Sequence, residues 1–182
     1  MHRRSLALLP LFAPLLAACE ADPAALHLGG FGDPVRGAAL NAPRLLGDTS
    51  RLAGRPAQAA LAAVQLEVIA DAFRNDPRYM HEVSGTARAT VEAGRAELRR
   101  AIGIAPEAPP TMVIGLLRDA ATALESGSLA RAEAALTGPA FPDGGAATLA
   151  QLGRLPFLPR VSAAAGAANA EIARLDGRVR QG

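Results

Sequence analysis

The 182-residue sequence contains no lysine and no tryptophan, and it holds a single cysteine, Cys19. Without lysine there is no amine for a Schiff base and no phosphate-binding lysine of a P-loop. With one tyrosine and five phenylalanines, the chain has few aromatic platforms on which sugars, bases or flavins stack. One cysteine permits neither an internal disulfide nor a site built from several thiolates. These absences argue against Schiff-base enzymes, P-loop enzymes and sites that depend on stacking.

The N-terminal residues follow the order of an export signal. A short positive segment with Arg3 and Arg4 is followed by residues 5–18, which carry no charge. This apolar stretch is too short to cross a membrane, which takes about 20 residues, and it matches the length of a signal-peptide core. The stretch ends directly before the cysteine, in the run Leu16, Ala17, Ala18, Cys19.

This order resembles the lipobox of bacterial lipoproteins, in which small residues precede an obligatory cysteine. The resemblance implies that residues 1–18 are removed and that the thiol of Cys19 receives diacylglycerol. It also implies that the new amine is acylated, with palmitate as the expected chain. Two or three acyl chains anchor a protein stably, because each buried CH₂ contributes about 0.8 kcal/mol. In such lipoproteins an aspartate after the cysteine favours retention in the inner membrane, so the resemblance implies that a chain with Glu20 at this position goes to the outer membrane. The alternative is an ordinary secretory signal with an incidental cysteine.

The charge of residues 19–182 is balanced. All 19 basic residues of the sequence are arginines, and two of them lie in the signal, so the remaining arginines match the 17 acidic residues. Proteins that bind nucleic acid need a basic surface, so this balance argues against a nucleic-acid partner. We expect a protein of the cell envelope that faces the periplasm, with its acyl chains in the membrane.

The chain is rich in alanine and has no alternating runs of β-branched residues, which predicts an all-α fold. Residues 19–48 contain three prolines and a glycine cluster, so we predict a flexible tether there, although Leu26, Leu28 and Phe31 leave docking on the domain open. Residues 49–182 predict a small bundle of about five to six helices. The predicted helices span 50–74, 77–102, 111–125, 128–136, 146–153 and 157–179.

The second and the last of these helices carry apolar seams with steps of three and four residues. Each seam has a waist of alanine or glycine, so we predict that the two helices pack closely, with a crossing angle near +20°. The seams consist of Met80, Val83, Ala87, Val91, Gly94, Leu98 and Ala101, and of Leu158, Val161, Ala165, Ala168, Ile172, Leu175 and Val179.

The other face of the second helix carries most of its charges. We predict that this face is solvated and that its arginines pair with Glu92 and Glu97, whereas binding of phosphate or of a lipid surface is the alternative. The face carries Arg88, Arg95, Arg99 and Arg100, and the predicted pairing concerns Arg88, Arg95 and Arg100.

Candidate metal ligands are few. His81 lies beside Met80, but neither a His-Glu-x-x-His nor a Glu-x-x-His pattern surrounds it, so we predict an ordinary helix residue. Met80 and Met112 are consistent with copper, yet packing is the commoner role of methionine at helical core positions. The acidic cluster Asp71, Asn75 and Asp76 does not have the alternating ligands of a calcium loop. We predict that it caps a helix end instead.

Candidate catalytic motifs are equally few. Ser84-Gly85 and Ser126-Gly127 are typical of turns or kinks, because no Gly-x-Ser-x-Gly elbow surrounds them. Gly29–Gly32 is not followed by a dinucleotide-binding unit. We therefore expect no catalytic residue, no metal and no cofactor. The interpretation is a non-enzymatic envelope lipoprotein that binds a protein partner or organises the envelope, and the alternative is a small-molecule or lipid binder.

Overall fold

The structure, a computed structural model, describes residues 33–179, so residues 1–32 with Cys19 lie outside the described range. This range is all-α, as predicted, with seven helices instead of the expected five to six. A short 3₁₀ helix, Thr49–Leu52, precedes the second of them. The helices are α1 Pro34–Leu46, α2 Pro56–Asn75, α3 Gly85–Ala101, α4 Pro110–Glu125, α5 Leu129–Ala135, α6 Gly145–Leu152 and α7 Pro159–Val179.

The additional helix, α1, lies in the segment predicted as a tether, so that prediction is wrong for residues 34–46. Asp33 begins the helix, because its side chain accepts hydrogen bonds from the backbone of Val35 at 2.9 Å and of Arg36 at 3.3 Å. Pro34 occupies the first helical position, where its missing N–H costs nothing. One face of α1 is buried, with Val35, Ala38, Ala39, Ala42 and Leu46 in the core.

Pro43 lies inside α1 and is tolerated because another helix compensates for it. A proline inside a helix leaves the carbonyl four residues earlier, here that of Ala39, without its usual donor. The side-chain amide of Asn169 in α7 donates to the carbonyls of Ala39 at 3.5 Å and Leu40 at 3.2 Å. The last helix of the chain therefore satisfies the backbone of the first.

Four helices form a closed ring, in which α1 packs on α2, α2 on α3, α3 on α7 and α7 on α1. The other face of α2 packs on α4, and α5 and α6 extend this second layer. Because α2 is covered by neighbours on most sides, 12 of its 20 residues are buried. The helix is consequently apolar around most of its circumference.

Two of the predicted boundaries are wrong for local reasons. The helix predicted at 77–102 begins only at Gly85, because Ser84 caps it by accepting from the backbone of Ala87 at 3.2 Å. Residues 76–83 form turns instead. The helix predicted at 50–74 is divided before Pro56, because Gly54 has a φ of +77° and ends the 3₁₀ segment. The four later helices lie within two residues of their predicted bounds.

The predicted contact between α3 and α7 is confirmed, and the two helices are antiparallel. Gly94, late in α3, faces Arg160 and Ala164 near the start of α7. At the other end, the backbone of Ser84 is bonded to Glu171. The small waist is required, because a Cβ on Gly94 would overlap that of Ala164 and lie 2.7 Å from the carbonyl oxygen of Arg160. The crossing angle of +20° remains a prediction.

We expect Gly94→Ala to destabilise the protein by about 1–3 kcal/mol, because overpacking forces the two helices apart. Gly166→Ala is the matched control, since an added Cβ there meets nothing within 4 Å. As alanine is the better helix former, the control should gain up to about 1 kcal/mol. Urea unfolding midpoints measure both effects. Equal midpoints for the two variants would show that the waist does not set the spacing of the helices.

Candidate functional site

A buried ion network joins α2 to α3 and determines which face of α3 is exposed. Glu67 of α2 is 2% exposed, and Arg95 and Arg99 of α3 are 8% and 4% exposed. Arg99 binds the carboxylate through two nitrogens, each 2.7 Å from an oxygen of Glu67, and Nε of Arg95 donates to the same carboxylate at 3.0 Å. Such a bidentate guanidinium–carboxylate pair fixes orientation as well as distance.

Further donors of the two arginines also find acceptors. Nη1 of Arg99 donates to three backbone carbonyls in the segment that follows α3, those of Ala105 at 3.3 Å, Pro106 at 2.8 Å and Ala108 at 2.9 Å. Nη1 of Arg95 donates to Glu92 at 2.9 Å. Because a buried charge is tolerated only when it is paired and hydrogen-bonded, this set of contacts explains how three ionised groups remain in the core.

The prediction of a solvated arginine face on α3 is therefore wrong for Arg95 and Arg99, and so is the alternative that they bind phosphate or lipid. The predicted pairing of Arg95 with Glu92 is confirmed at 2.9 Å. The error arose because Glu67, their buried partner, lies 28 and 32 positions earlier in the chain. One signal was available: Glu67 lies between Leu66 and Val68 in an apolar stretch, and a buried carboxylate needs a cation.

The ends of α3 and α7 are held by reciprocal carboxylate caps. Glu97 of α3 accepts from the backbone of Arg160 at 2.7 Å and Val161 at 3.0 Å, in the first turn of α7. Glu171 of α7 accepts from the backbone of Ser84, which precedes α3, at 2.7 Å. A negative charge at a helix N-terminus satisfies free N–H groups and the helix dipole together. The predicted pairing of Glu97 with arginines of α3 is thus replaced by a contact between helices.

Glu171 also binds Arg174 at 2.6 Å, and Arg174 donates to the carbonyl of Glu82 at 2.7 Å. The hydrogen bond from Arg174 is the main cause that lowers the pKa of the Glu171 carboxyl below its ordinary value. The cap therefore stays ionised at neutral pH. Because the folded pKa lies below the unfolded one, its contribution to stability is present above the unfolded pKa and is lost as the pH falls through the folded pKa.

A second polar cluster holds the start of α1 against the rest of the ring. The hydroxyl of Tyr79 donates to Asp33, and Arg78 contacts the same carboxylate at 3.3 Å. Burial, and then the hydrogen bond with Asp33, raises the pKa of Tyr79. Arg36 of α1 binds Asp176 of α7 at 2.7 Å. Asp33 is consequently fixed beside the turns at 76–84, at the same end of the bundle as the start of α3.

An open groove lies between α3 and α7, on the face of α3 that points away from α2. Its volume is 550 Å³. Small side chains form most of the wall of the groove. Arg160 lies at the end of the groove that is nearest to the start of α7. Among the described residues, the Arg160 side chain has no ion-pair or hydrogen-bond partner. The lining residues are Gly85, Thr86, Ala89, Thr90, Ala93, Arg160 and Ala163.

The residues considered as metal ligands are not brought together. Within residues 33–179, no group of three or more histidine, cysteine, aspartate or glutamate side chains has the geometry to hold a metal ion. His81 is exposed in the turns after α2, and Met112 is exposed on α4. The helix cap predicted in the acidic cluster is wrong, because no helix begins at Pro77: Asp71 accepts from Asn75 at 2.8 Å within α2, and Asp76 follows the end of α2 and accepts from the backbone of Arg78 at 2.9 Å.

Ser126-Gly127 forms the turn that the sequence predicts, whereas Ser84-Gly85 begins a helix instead of turning or kinking one. Ser84 caps α3, and the hydroxyl of Ser126 donates to the carbonyl of Ala123 at 2.9 Å at the end of α4. Gly127 follows with a φ of +74°, a conformation that favours glycine and turns the chain into α5. Gly29–Gly32 and Cys19, with its flanking residues Leu16, Ala17 and Ala18, lie outside the described residues.

The large apolar side chains that are most exposed lie on four separate segments. Leu40 is in α1, Met112 in α4, Leu129 in α5, and Phe157 precedes α7. In the described part of the chain, none of the helices combines the length and the apolar character that crossing a membrane requires.

Comparison with protein-family models, with curated proteins and with solved structures finds no match to this chain.

We expect Glu67→Gln to destabilise the protein by about 3–5 kcal/mol, because it leaves the buried Arg99 without a counter-charge and Arg95 with Glu92 alone. Glu92→Gln is the control within the same network: Glu92 is 32% exposed and pairs with Arg74 and Arg95, so its loss should cost about 1 kcal/mol or less. Chemical unfolding monitored by circular dichroism gives both values. A cost for Glu67→Gln no larger than that of the control would show that the buried network does not stabilise the fold.

Proposed function

We propose that this protein is a non-enzymatic lipoprotein of the bacterial cell envelope, anchored through acyl chains on Cys19, and that the groove between α3 and α7 docks a helix of a partner protein. The anchor is supported by the order of positive charge, apolar run, Leu16-Ala17-Ala18 and Cys19 at the N-terminus. The outer membrane is the favoured location, with the domain facing the periplasm, because Glu20 follows the cysteine.

The short chain between anchor and domain supports a partner that lies near the membrane. Asp33 is the first described residue and follows Cys19 by 14 positions. A chain of that length reaches at most about 50 Å even when fully extended. The end of the bundle that contains Asp33 and the turns at 76–84 is thereby kept close to the bilayer surface.

The observation that carries the docking role is the exposed face of α3. Gly85, Ala89 and Ala93 recur at intervals of four residues and line the groove, so they lie on one side of the helix. Small side chains at this spacing let another helix approach closely, in the manner of helix-in-groove recognition. The guanidinium of Arg160, which has no ion-pair or hydrogen-bond partner among residues 33–179, suits a carboxylate on the partner, which would fix the direction of the bound helix.

The alternative is a lipid or small-molecule binder that uses the same groove. The mainly apolar lining favours this function, and the volume of 550 Å³ lies within the range of about 300–1,000 Å³ that ligand pockets have. The open shape weighs against it, because ligand sites of that size bury most of the ligand surface. Helix docking needs no such enclosure.

Intact mass spectrometry of protein from native membranes tests the anchor. We expect a mass equal to residues 19–182 plus two or three acyl chains, and we expect the Cys19→Ser variant to lack this species. Detection of an unacylated chain, or of a chain cut at another bond, would contradict the lipoprotein assignment.

Photo-crosslinking in intact cells tests the groove. A benzophenone amino acid is placed at Ala93, within the groove, or at Ala130, an exposed control position on α5. We expect a discrete protein adduct from position 93 and none from position 130. An adduct with phospholipid at position 93 would favour the binder instead. The same adducts from both positions, or none from position 93, would contradict a docking role for the groove.

A further inference from the structure

We propose that one end of the bundle, formed by residues 44–55 and 153–160 and named the basic tip, binds the headgroups of an anionic phospholipid bilayer. These two segments combine exposed arginines with one exposed aromatic side chain. The contact is separate from helix docking in the groove between α3 and α7. It rests on the proposed anchor only for the question of which bilayer the basic tip meets.

Backbone bonds and a buried threonine join the two segments into one surface. The N–H of Gly54 donates to the carbonyl of Gly153 at 2.9 Å. The hydroxyl of Thr49, which is 1% exposed, donates to the carbonyl of Pro156 and accepts from the N–H of Leu158 at 3.0 Å. Because these contacts fix both loops, the surface needs little ordering when it binds.

The basic tip has an excess of positive charge. It holds five arginines and one acidic residue, Asp48, which is a net charge of +4, although residues 19–182 are neutral overall. Asp48 pairs with Arg51 at 3.5 Å, and the other four arginines have no carboxylate partner in the described part of the chain. Glu97 and Arg100 near the end of α3 add one charge of each sign. The five arginines, all of them exposed, are Arg44, Arg51, Arg55, Arg154 and Arg160.

The arginines at the opposite end of the bundle differ, because carboxylates pair with them. Four ion pairs lie there within residues 33–179, with nitrogen–oxygen distances of 2.6 to 3.3 Å. An arginine that is already paired has little to offer an external anion. The pairs are Arg36–Asp176, Arg78–Asp33, Arg78–Asp76 and Arg174–Glu171.

A large apolar side chain projects from the basic tip. Phe157 is 53% exposed, whereas Leu155 and Leu158 on either side of it are buried and hold the loop in place. The acidic residues nearest to Phe157 along the chain, Asp143 and Glu171, are each 14 positions away. The exposed ring therefore lies in a surface whose charges are almost all positive.

This combination fits a lipid surface better than an acidic protein. A single projecting ring needs a matching pocket on a protein partner, whereas the fluid headgroup layer accepts it without one. Aromatic side chains enter this layer, and basic residues near an anionic leaflet are attracted to it. Guanidinium groups also bind phosphate oxygens through two hydrogen bonds at once. Phe157 would thus enter the headgroup layer while the arginines bind the surrounding phosphates.

The position of the basic tip directs it to a bilayer other than the one that holds Cys19. The helix α7 begins at the basic tip and ends near Asp33, where Arg36 binds Asp176. Its 21 residues cover about 31 Å, since each residue rises 1.5 Å. The proposed anchor keeps the Asp33 end near its own membrane, so the basic tip faces away from that membrane. A protein bound at both ends would link two bilayers.

Cosedimentation with vesicles tests the lipid contact apart from the anchor. Residues 19–182 carrying Cys19→Ser are mixed with vesicles of phosphatidylcholine, or of phosphatidylcholine and phosphatidylglycerol in equal parts. We expect binding to the anionic vesicles to be at least about tenfold stronger and to weaken as salt is added. Equal binding to both kinds of vesicle, or no binding to the anionic ones, would overturn the proposal.

Matched variants locate the contact on the chain. Arg154→Glu should lower binding by about tenfold, whereas Arg131→Glu, with the same change of charge on the exposed side of α5, should leave it nearly unchanged. Phe157→Ser should lower binding by about fivefold, whereas Leu129→Ser, at a residue that is 58% exposed, should not. Circular dichroism checks that all four variants are folded. Effects equal to those of the controls would contradict binding through the basic tip.

A soluble polyanion distinguishes the acidic-protein alternative. Polyglutamate is the probe, and we expect it to bind far more weakly than the anionic vesicles because it offers no apolar layer to Phe157. Binding of polyglutamate that Arg154→Glu weakens, together with no binding to vesicles, would assign the basic tip to an acidic protein and overturn the lipid contact.

Vesicle linking tests the orientation and separates the basic tip from the anchor. Acylated protein is inserted into phosphatidylcholine vesicles, and phosphatidylglycerol vesicles are then added. We expect light scattering to rise, and we expect no rise with Cys19→Ser, which lacks the anchor, or with acylated Arg154→Glu, which keeps it. Cosedimentation of the unacylated chain without linking by the acylated one would overturn the assignment to a second bilayer. Failure of acylation is recognised from the intact mass and leaves the cosedimentation result valid.

Discussion

The carboxylate of Glu67 and the two guanidinium groups that surround it determine how α3 is rotated in this bundle. Three ionised groups in a core of alanine and leucine are tolerated only with complete pairing, because each of them loses its hydration. That pairing demands that one charged face of α3 points at α2. The opposite face, with its glycine, alanines and threonines, is then necessarily the exposed one. The open groove is thus a consequence of an interaction on the other side of the helix.

Other polar contacts join neighbouring helices of the ring at their ends. The side chain of Glu97 in α3 caps the N-terminus of α7, and that of Glu171 in α7 caps the N-terminus of α3. Neither helix can therefore slide along the other without losing a cap. Asp33 and Arg36 attach the N-terminal end of α1 to the turns at 76–84 and to α7. The apolar seams supply the contact area, and these carboxylates determine the register.

Local patterns in the sequence predicted much of the fold but little of the exposed surface. Helix positions after residue 110 followed from glycines, prolines and capping serines, and the pairing of α3 with α7 followed from their small waists. The helix α1 was missed because Pro34 and Pro43 were taken as breakers, and only Asn169, far along the chain, makes Pro43 acceptable. The inward turn of Arg95 and Arg99 was missed for the same reason, since their partner lies on another helix. Both errors concern polar contacts between distant residues, which periodicity cannot reveal.

The bond between Asn169 and α1 also has a consequence for the order of folding. The residues that it joins are about 130 positions apart, and contacts of such high sequence separation form slowly, because a long loop must close before they contribute. During synthesis from the N-terminus, α1 is made first and α7, which packs on it, is made last. Until α7 arrives, the apolar face formed by Val35, Ala38, Ala39, Ala42 and Leu46 lacks one of its two neighbours and can pack only on α2. The first helix of the domain is therefore the first to be synthesised and the last to be enclosed, which leaves its apolar face vulnerable to aggregation in the nascent chain.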